Sequence, residues 1–160
     1  PSKGAADAGN IFAAIKKAHG DKVKLLGVGE IAPNEVKISI PGMEYIYQPS
    51  RDEMADLMFR TDIWLGCSHG EGLGRLSLEA MTGLAACVLT DTKAEFVVPD
   101  KNALVAPVGA VNELANHINT LILDPEFRKQ IALAGYQTAK VMADPSDMID
   151  RLDEVIASVF

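Results

Sequence analysis

Two glutamates eight positions apart are the residues of this sequence that are best placed to do chemistry. Glu71 and Glu79 flank a glycine-rich turn, Gly72–Gly74, and the start of a predicted helix. The glycines let the backbone approach a ligand closely, and the unpaired N–H groups at the start of a helix attract an anion. The turn is therefore predicted to bind a ligand that carries phosphate groups.

The helix that follows the turn places Glu79 beside its predicted buried stripe. That stripe consists of Leu76, Ala80, Gly83 and Leu84, which share one face at helical spacing. A carboxylate on the flank of a buried face needs a partner, because burying it alone is costly. The hydroxyl groups of a ribose would be suitable partners, and so would a neighbouring loop at the surface. The position of Glu79 on the helix does not distinguish between these two partners.

The elements that must position this turn alternate between short apolar runs and helical periodicity. Helices are predicted at 5–19, 50–60, 75–83, 111–123, 125–142 and 146–159, and strands at 23–28, 45–47, 63–67, 86–89 and 103–105, with 36–40 either a short strand or an irregular insert. Short strands separated by helices predict an α/β fold with a Rossmann-like doubly wound parallel sheet. Ligands bind at the carboxyl ends of the strands in such a sheet, and the glycine-rich turn follows one of those ends.

The composition limits the class of protein. A length of 160 residues, of which 48% are hydrophobic, fits one packed domain. The net charge of −7 argues against a general nucleic-acid-binding protein, which needs a basic face. No apolar run approaches the roughly 18 residues of a membrane span, and no signal-peptide core follows Pro1. Cys67 and Cys87 lie in apolar runs and are expected to be core residues in a reducing compartment, which predicts a cytoplasmic location.

The segment Glu71–Met81 reads EGLGRLSLEAM and resembles the E-x7-E motif of retaining GT-B glycosyltransferases of family 4, the glycosyl transferases group 1. That family often reads EGFGLPxLEAM. Further matches follow the family's order over about residues 1 to 140. They are Lys3-Gly4, LLGVG at 25–29, VLTD at 88–91, EFV at 95–97, NALV at 102–105 and LDPEFR at 123–128.

The resemblance implies a role for each matching residue. Lys3 would contact the donor diphosphate, and the backbone amides of Gly72, Leu73 and Gly74 would hold sugar and phosphate oxygens. Glu71, the catalytic candidate, would face hydroxyls of the donor sugar, and Glu79 would bind the ribose. The family needs neither a metal nor a cofactor, and no cluster of histidine, cysteine and carboxylate residues has metal-ligand spacing.

The sequence departs from the family pattern within the site. Arg75 stands where an apolar residue is usual, in the first helical turn, where a cation opposes the helix dipole. We expect it either to pair with Glu71 or Glu79 or to bind the donor's phosphate or an acidic sugar, and we count it among the donor-binding candidates. Leu84 and Ala86 replace a usual glycine and a usual proline. His69 adjoins the turn, but its position alone does not make it a donor contact.

The family's phosphate-binding arginine and first strand would lie upstream of Pro1. The chain is therefore expected to be one domain, the C-terminal half of a GT-B glycosyltransferase, with 146–159 as its C-terminal helix. Its expected partners are a nucleotide-sugar donor and its own N-terminal domain, through which alone it would contact a membrane. We predict a donor-binding domain for retaining, metal-independent sugar transfer that is inactive by itself. The alternatives are a nucleotide-sugar-binding module without turnover and a GT-B-fold sugar-nucleotide epimerase.

Overall fold

The computed structural model describes residues 4–30, 42–70 and 74–143, and they form parallel strands with helices between them. The helices are α1 (Ala5–His19), α2 (Arg51–Phe59), α3 (Arg75–Thr82), α4 (Val111–Leu123) and α5 (Pro125–Met142). The strands are β1 (Leu25–Gly29), β2 (Met43–Tyr47), β3 (Ile63–Gly66), β4 (Ala86–Thr90) and β5 (Ala103–Ala106). The predicted α/β fold is confirmed, and these bounds lie within two residues of the predicted ones. The predicted segments 36–40 and 146–159 lie outside the described residues.

All strand pairs of the described chain are parallel. Strand β1 pairs with β2, and a second sheet has the order β3-β4-β5. Every residue of β4 is buried, as expected for a central parallel strand that is covered on both faces. Its alternate side chains enter two cores, because neighbouring residues of a strand point to opposite faces. Ala86 and Val88 pack in a core with α1 and α4, whereas Cys87 and Leu89 pack in a core with α3.

The predicted buried stripe of α3 is wrong at two positions. Leu76 is 46% exposed and Leu84 is 48% exposed, whereas Ala80 and Met81 are fully buried. The helix ends at Thr82, so Leu84 lies beyond it, in a left-handed backbone conformation. Helix α5 packs on the side of α3 that carries Met81, because a glycine of α5 leaves room for that side chain. The observed buried face of α3 is therefore displaced by about one residue from the predicted one, and Glu79 lies on the exposed face of the helix.

The two cysteines are free and buried, as expected for small core residues. Burial raises the pKa of both thiols to about 12, with a smaller contribution at Cys67 from the carboxylate of Asp7. Thiols with such pKa values are protonated and chemically inert at neutral pH. This agrees with a packing role for both residues.

Candidate functional site

The first feature of the site is the start of α3. Gly74 precedes this helix in a left-handed conformation, with φ of 68°, which disfavours any residue with a side chain. A Cβ at this position would lie 3.3 Å from the ring of Phe96. Among the described residues no side chain caps α3, and its first turn contains no acidic residue. Within the described chain the N–H groups of Arg75 and Leu76 are therefore left for an anion, whereas the Ser77 N–H donates to the Gly74 carbonyl.

Two neighbouring strands end beside this helix start. Strand β3 ends at Gly66 and β4 ends at Thr90, and their parallel pairing brings both carboxyl ends to one edge of the sheet. The Thr90 hydroxyl donates a hydrogen bond of 2.5 Å to the Ser68 carbonyl, which fixes the chain that leaves β3 against the end of β4. The indole N–H of Trp64 donates to the Ser77 hydroxyl at 3.3 Å and ties α3 to β3. The helix start is thus fixed at the carboxyl edge of the sheet.

A cavity of about 350 Å³ opens at this edge. Its polar wall consists of Ser68, Ser77, Thr90 and Asp91, and the segment 92–97 closes the other side. Its position agrees with the rule that ligands of open parallel sheets bind outside the carboxyl ends of the strands. Ser68 and Ser77 were not predicted as site residues from the sequence. Their positions, directly after β3 and one turn into α3, are the signal that would have found them.

A short ion pair lies on the rim of the cavity. Lys93 Nζ is 2.5 Å from Asp91 Oδ2, and Lys93 adopts a left-handed backbone conformation with φ of 61°. The hydrogen bond from Lys93 lowers the pKa of the Asp91 carboxyl below its usual value. Both side chains reach solvent, so we assign no stabilising role to the pair. The pair brings one positive and one negative group to the cavity entrance.

A second helix begins at the same edge. Gly4 precedes α1, also in a left-handed conformation with φ of 63°, and a Cβ on it would overlap with the carbonyl oxygen of Cys67. Only glycine can therefore bring the start of α1 this close to the end of β3. One turn into α1, Asp7 reaches His69, whose Nε2 lies 2.7 Å from Asp7 Oδ2. The starts of α1 and α3 thus both approach the chain that leaves β3.

The predicted site residues divide into two groups. Gly74, Arg75 and Glu79 lie together at the start of α3. Arg75 Nε is 3.5 Å from Glu79 Oε1, and the two side chains are 81% and 46% exposed. Arg75 was expected either to pair with a glutamate or to bind the donor. Among the described residues it pairs with Glu79. The other predicted site residues lie outside the described residues, and their roles stay predictions; they are Lys3, Glu71, Gly72 and Leu73.

Two other features are absent from the described residues, a metal cluster and a membrane-spanning helix. No group of three or more histidine, cysteine and acidic residues among them is arranged to hold a metal ion. None of the helices in that part of the chain is both long enough and apolar enough to cross a membrane.

Solved structures of glycosyltransferases share this fold. The C-terminal domain of a glycosyl transferase group 1 family protein, LpcC from Francisella tularensis, has a TM-score of 0.78 and 22% identity, over 88% of this chain and 79% of that one. Anabaena Alr3699/HepE in complex with UDP-glucose has a TM-score of 0.79 and 22% identity, over 99% of this chain and 46% of that one. Sucrose-phosphate synthase from Thermosynechococcus elongatus has a TM-score of 0.73 and 17% identity, over 99% of this chain and 43% of that one. The chain thus spans less than half the length of the last two proteins.

Sequence comparison gives the family directly. No match is found among curated protein sequences. The family model described as "Glycosyl transferases group 1" matches residues 1–124, which is more than three quarters of the 160 residues. The fold agrees with this match, since the structural neighbours are GT-B glycosyltransferases and the Rossmann-like C-terminal domains of such enzymes. The chain therefore belongs to the glycosyl transferases group 1 family.

Proposed function

We propose that this chain is the donor-binding domain of a glycosyltransferase and that a nucleoside diphosphate sugar binds at the carboxyl edge of β3 and β4. The observation that carries the proposal is the start of α3. Its N–H groups lack a side-chain cap in the described part of the chain, and a cavity of about 350 Å³ lies beside them. Complexes of Anabaena HepE, which shares the fold, contain UDP-glucose or UDP and support this class of ligand.

The donor is proposed to lie with its diphosphate over the start of α3. The partial positive charge of the helix end and the backbone N–H groups of 72–74 would hold the phosphate oxygens, and Lys3 would add a full positive charge. Glu79 is exposed on the first turns of the same helix and would accept hydrogen bonds from ribose hydroxyls. Glu71 would contact the hydroxyls of the donor sugar. Of these residues, Lys3 and Glu71 enter the proposal through the family resemblance alone.

The proposed reaction is transfer of the sugar with retention of its anomeric configuration. The bond between the anomeric carbon and the diphosphate oxygen breaks, and a bond to the oxygen of an acceptor hydroxyl forms on the same face of the sugar. The nucleoside diphosphate leaves and takes up the proton of that hydroxyl. The proposal includes independence from metal ions, for which equal transfer rates in EDTA and in Mg²⁺ are expected. The acceptor would be bound by a further domain, since the chain spans 46% of HepE. The isolated chain is therefore expected to bind a nucleoside diphosphate weakly and to transfer no sugar.

A cytoplasmic location is part of the proposal. It is supported by the two cysteines, which are buried and free, as in proteins of reducing compartments.

A pair of glycine substitutions tests the proposed site. Gly74 and Gly109 both have positive φ, at 68° and 82°, so Gly74→Ala and Gly109→Ala should each cost about 1–2 kcal/mol in the free energy of unfolding. Only Gly74 lies at the proposed site, and Gly109 has open space around it. Calorimetric titrations with UDP, GDP and ADP should detect binding to the unsubstituted chain and to Gly109→Ala, with at least about tenfold weaker binding to Gly74→Ala. Equal effects of both substitutions on affinity would refute this site.

A further inference from the structure

The contact between His69 and Asp7 joins two distant parts of the chain next to Ser68, which lines the cavity of the proposed site. The residues are 62 positions apart in sequence, and Nε2 of His69 lies 2.7 Å from Oδ2 of Asp7. The carboxylate side chain is 20% exposed and the imidazole side chain is 43% exposed. A hydrogen bond at one ring nitrogen fixes which nitrogen remains for other partners. The carboxylate therefore sets the orientation of the ring and leaves Nδ1 for other partners.

The position of Asp7 is fixed independently of this contact. Gly4 lies so close to the Cys67 carbonyl that a Cβ would overlap with it, so the first turn of α1 packs directly against the end of β3. The negative charge of Asp7 is also close enough to the Cys67 thiol to contribute to the raised pKa of that thiol. His69 follows Cys67 by two residues, on the segment that runs into the glycine-rich turn. Asp7 thus holds the imidazole at the start of α1, on the segment that leads towards α3.

Nδ1, the second ring nitrogen of His69, takes no part in the contact with Asp7. Nδ1 of His69 has no hydrogen-bond partner in residues 4–30, 42–70 and 74–143. A purely structural link between α1 and the end of β3 would need Nε2 only, and a partly exposed ion pair contributes little to stability. The arrangement resembles that of imidazoles elsewhere, in which a carboxylate holds one nitrogen and the other meets a ligand.

We propose that Nδ1 of His69 contacts the diphosphate of the donor and that Asp7 is the positioning residue that holds the ring for this contact. The inference rests on the proposed function. The diphosphate is the part of the donor that the start of α3 and its N–H groups would attract to this edge of the sheet. An imidazolium has an N–H at both ring nitrogens, so it can donate to Asp7 from Nε2 and to a phosphate oxygen from Nδ1.

Substitution of His69 separates the two nitrogens. In His69→Gln the amide nitrogen can occupy the place of Nε2 and keep the hydrogen bond to Asp7, but nothing replaces Nδ1. We expect the thermal unfolding temperature to stay near that of the unsubstituted protein. Calorimetry should show about tenfold weaker binding of UDP and unchanged binding of uridine, which lacks phosphate. Unchanged UDP affinity in this variant would overturn the inference.

Substitution of Asp7 tests the positioning role, because loss of positioning and loss of negative charge should change UDP affinity in opposite directions. Removing a negative charge near a diphosphate should raise UDP affinity if the charge alone matters. If Asp7 positions the ring, Asp7→Ala should lower UDP affinity about threefold to tenfold. Asp7→Asn should restore it, because the amide oxygen still accepts from Nε2. In a protein that already carries His69→Gln, the addition of Asp7→Ala should not weaken UDP binding any further. Higher UDP affinity in both Asp7→Ala and Asp7→Asn would overturn the positioning role.

The inference and the function on which it rests fail in different ways. If the unsubstituted protein binds none of UDP, GDP and ADP, the proposed function is wrong and the inference falls with it. If UDP binds and His69→Gln leaves its affinity unchanged, the proposed function stands and only the role of His69 is wrong.

Discussion

Helices α2 and α3 are of similar length but begin in opposite ways. Ser50 and Glu53 close a capping box at α2: the Ser50 side chain accepts from the Glu53 N–H at 3.3 Å, and Glu53 accepts from the Ser50 N–H at 2.8 Å. At α3 a left-handed glycine leaves the first N–H groups without a side-chain cap among the described residues. The capped start serves the stability of its helix, whereas the open start leaves donors for a ligand.

The other helices refine this comparison. Asp124 caps α5 by accepting from the Phe127 N–H at 2.9 Å, with Pro125 in the first turn. Within the described chain α1 and α4 also lack a side-chain cap, and each carries an acidic residue in its first turn, Asp7 in α1 and Glu113 in α4. Of the starts without a side-chain cap, those of α1 and α3 begin with left-handed glycines and adjoin the end of β3. An open helix start therefore indicates a ligand site only where the strand ends and a cavity accompany it.

The largest effect is expected at the turn before α3. In a transfer-competent protein that contains this domain, Glu71→Gln should reduce sugar transfer by on the order of a hundredfold, because Glu71 is proposed to contact the reacting sugar. The affinity for UDP, which lacks the transferred sugar, should change less than about twofold. Steady-state transfer rates and calorimetry on the same preparation measure both quantities. A loss of UDP affinity as large as the loss of transfer would place Glu71 on the nucleotide instead.

The two glutamates of α2 and α3 give a matched pair. Glu79→Ala should weaken UDP binding about tenfold, since it removes the proposed ribose contact. Glu53→Ala removes a carboxylate of the same kind from the start of α2 and should leave UDP affinity unchanged. Calorimetry on both variants compares them directly. If Glu53→Ala weakened UDP binding more than Glu79→Ala did, the difference between the two helix starts would be unrelated to ligand binding.

The capped start should respond to pH. Hydrogen bonds from Ser50 lower the pKa of the Glu53 carboxyl, so Glu53 stabilises the folded state above its unfolded pKa, about 4.3. This contribution is lost as the pH falls through the lowered folded pKa. The difference in unfolding free energy between the unsubstituted chain and Glu53→Ala should therefore be largest near neutral pH and shrink below about pH 4. Urea titrations at several pH values measure it, and a difference that grows as the pH falls would contradict this account.

The fold was predictable because strand length and helical period are local properties of the sequence. The capping box at Ser50 is an example, since both partners lie within one helical turn. The buried side of α3 was not predictable from Leu76 and Leu84, because it depends on where α5 packs. The contact between Asp7 and His69 could not be predicted from sequence periodicity either, because it requires α1 to be placed against the end of β3. The wall of the cavity, with Ser68 and Ser77, depends on the same tertiary arrangement.

The smallest effect is expected at Arg75. The described structure pairs its guanidinium with Glu79 on the helix surface, and exposed pairs of this spacing are worth about 0.3–0.5 kcal/mol. Arg75→Leu should therefore change UDP affinity less than about twofold and leave its salt dependence unchanged. An affinity about tenfold lower, with a flatter salt dependence, would show that Arg75 binds the donor phosphate instead.

The most direct test of the central claim follows the backbone amides of the two contrasting helix starts during one titration. UDP is added to the ¹⁵N-labelled protein, with GDP and ADP in parallel, and the amide chemical shifts are recorded. The account predicts the largest changes at Arg75 and Leu76, where the open N–H groups of α3 would meet the diphosphate. The amides of Asp52 and Glu53, in the capped first turn of α2, should stay unchanged. Binding that shifts the α2 amides as much as those of α3, or leaves the α3 amides unmoved, would contradict the account.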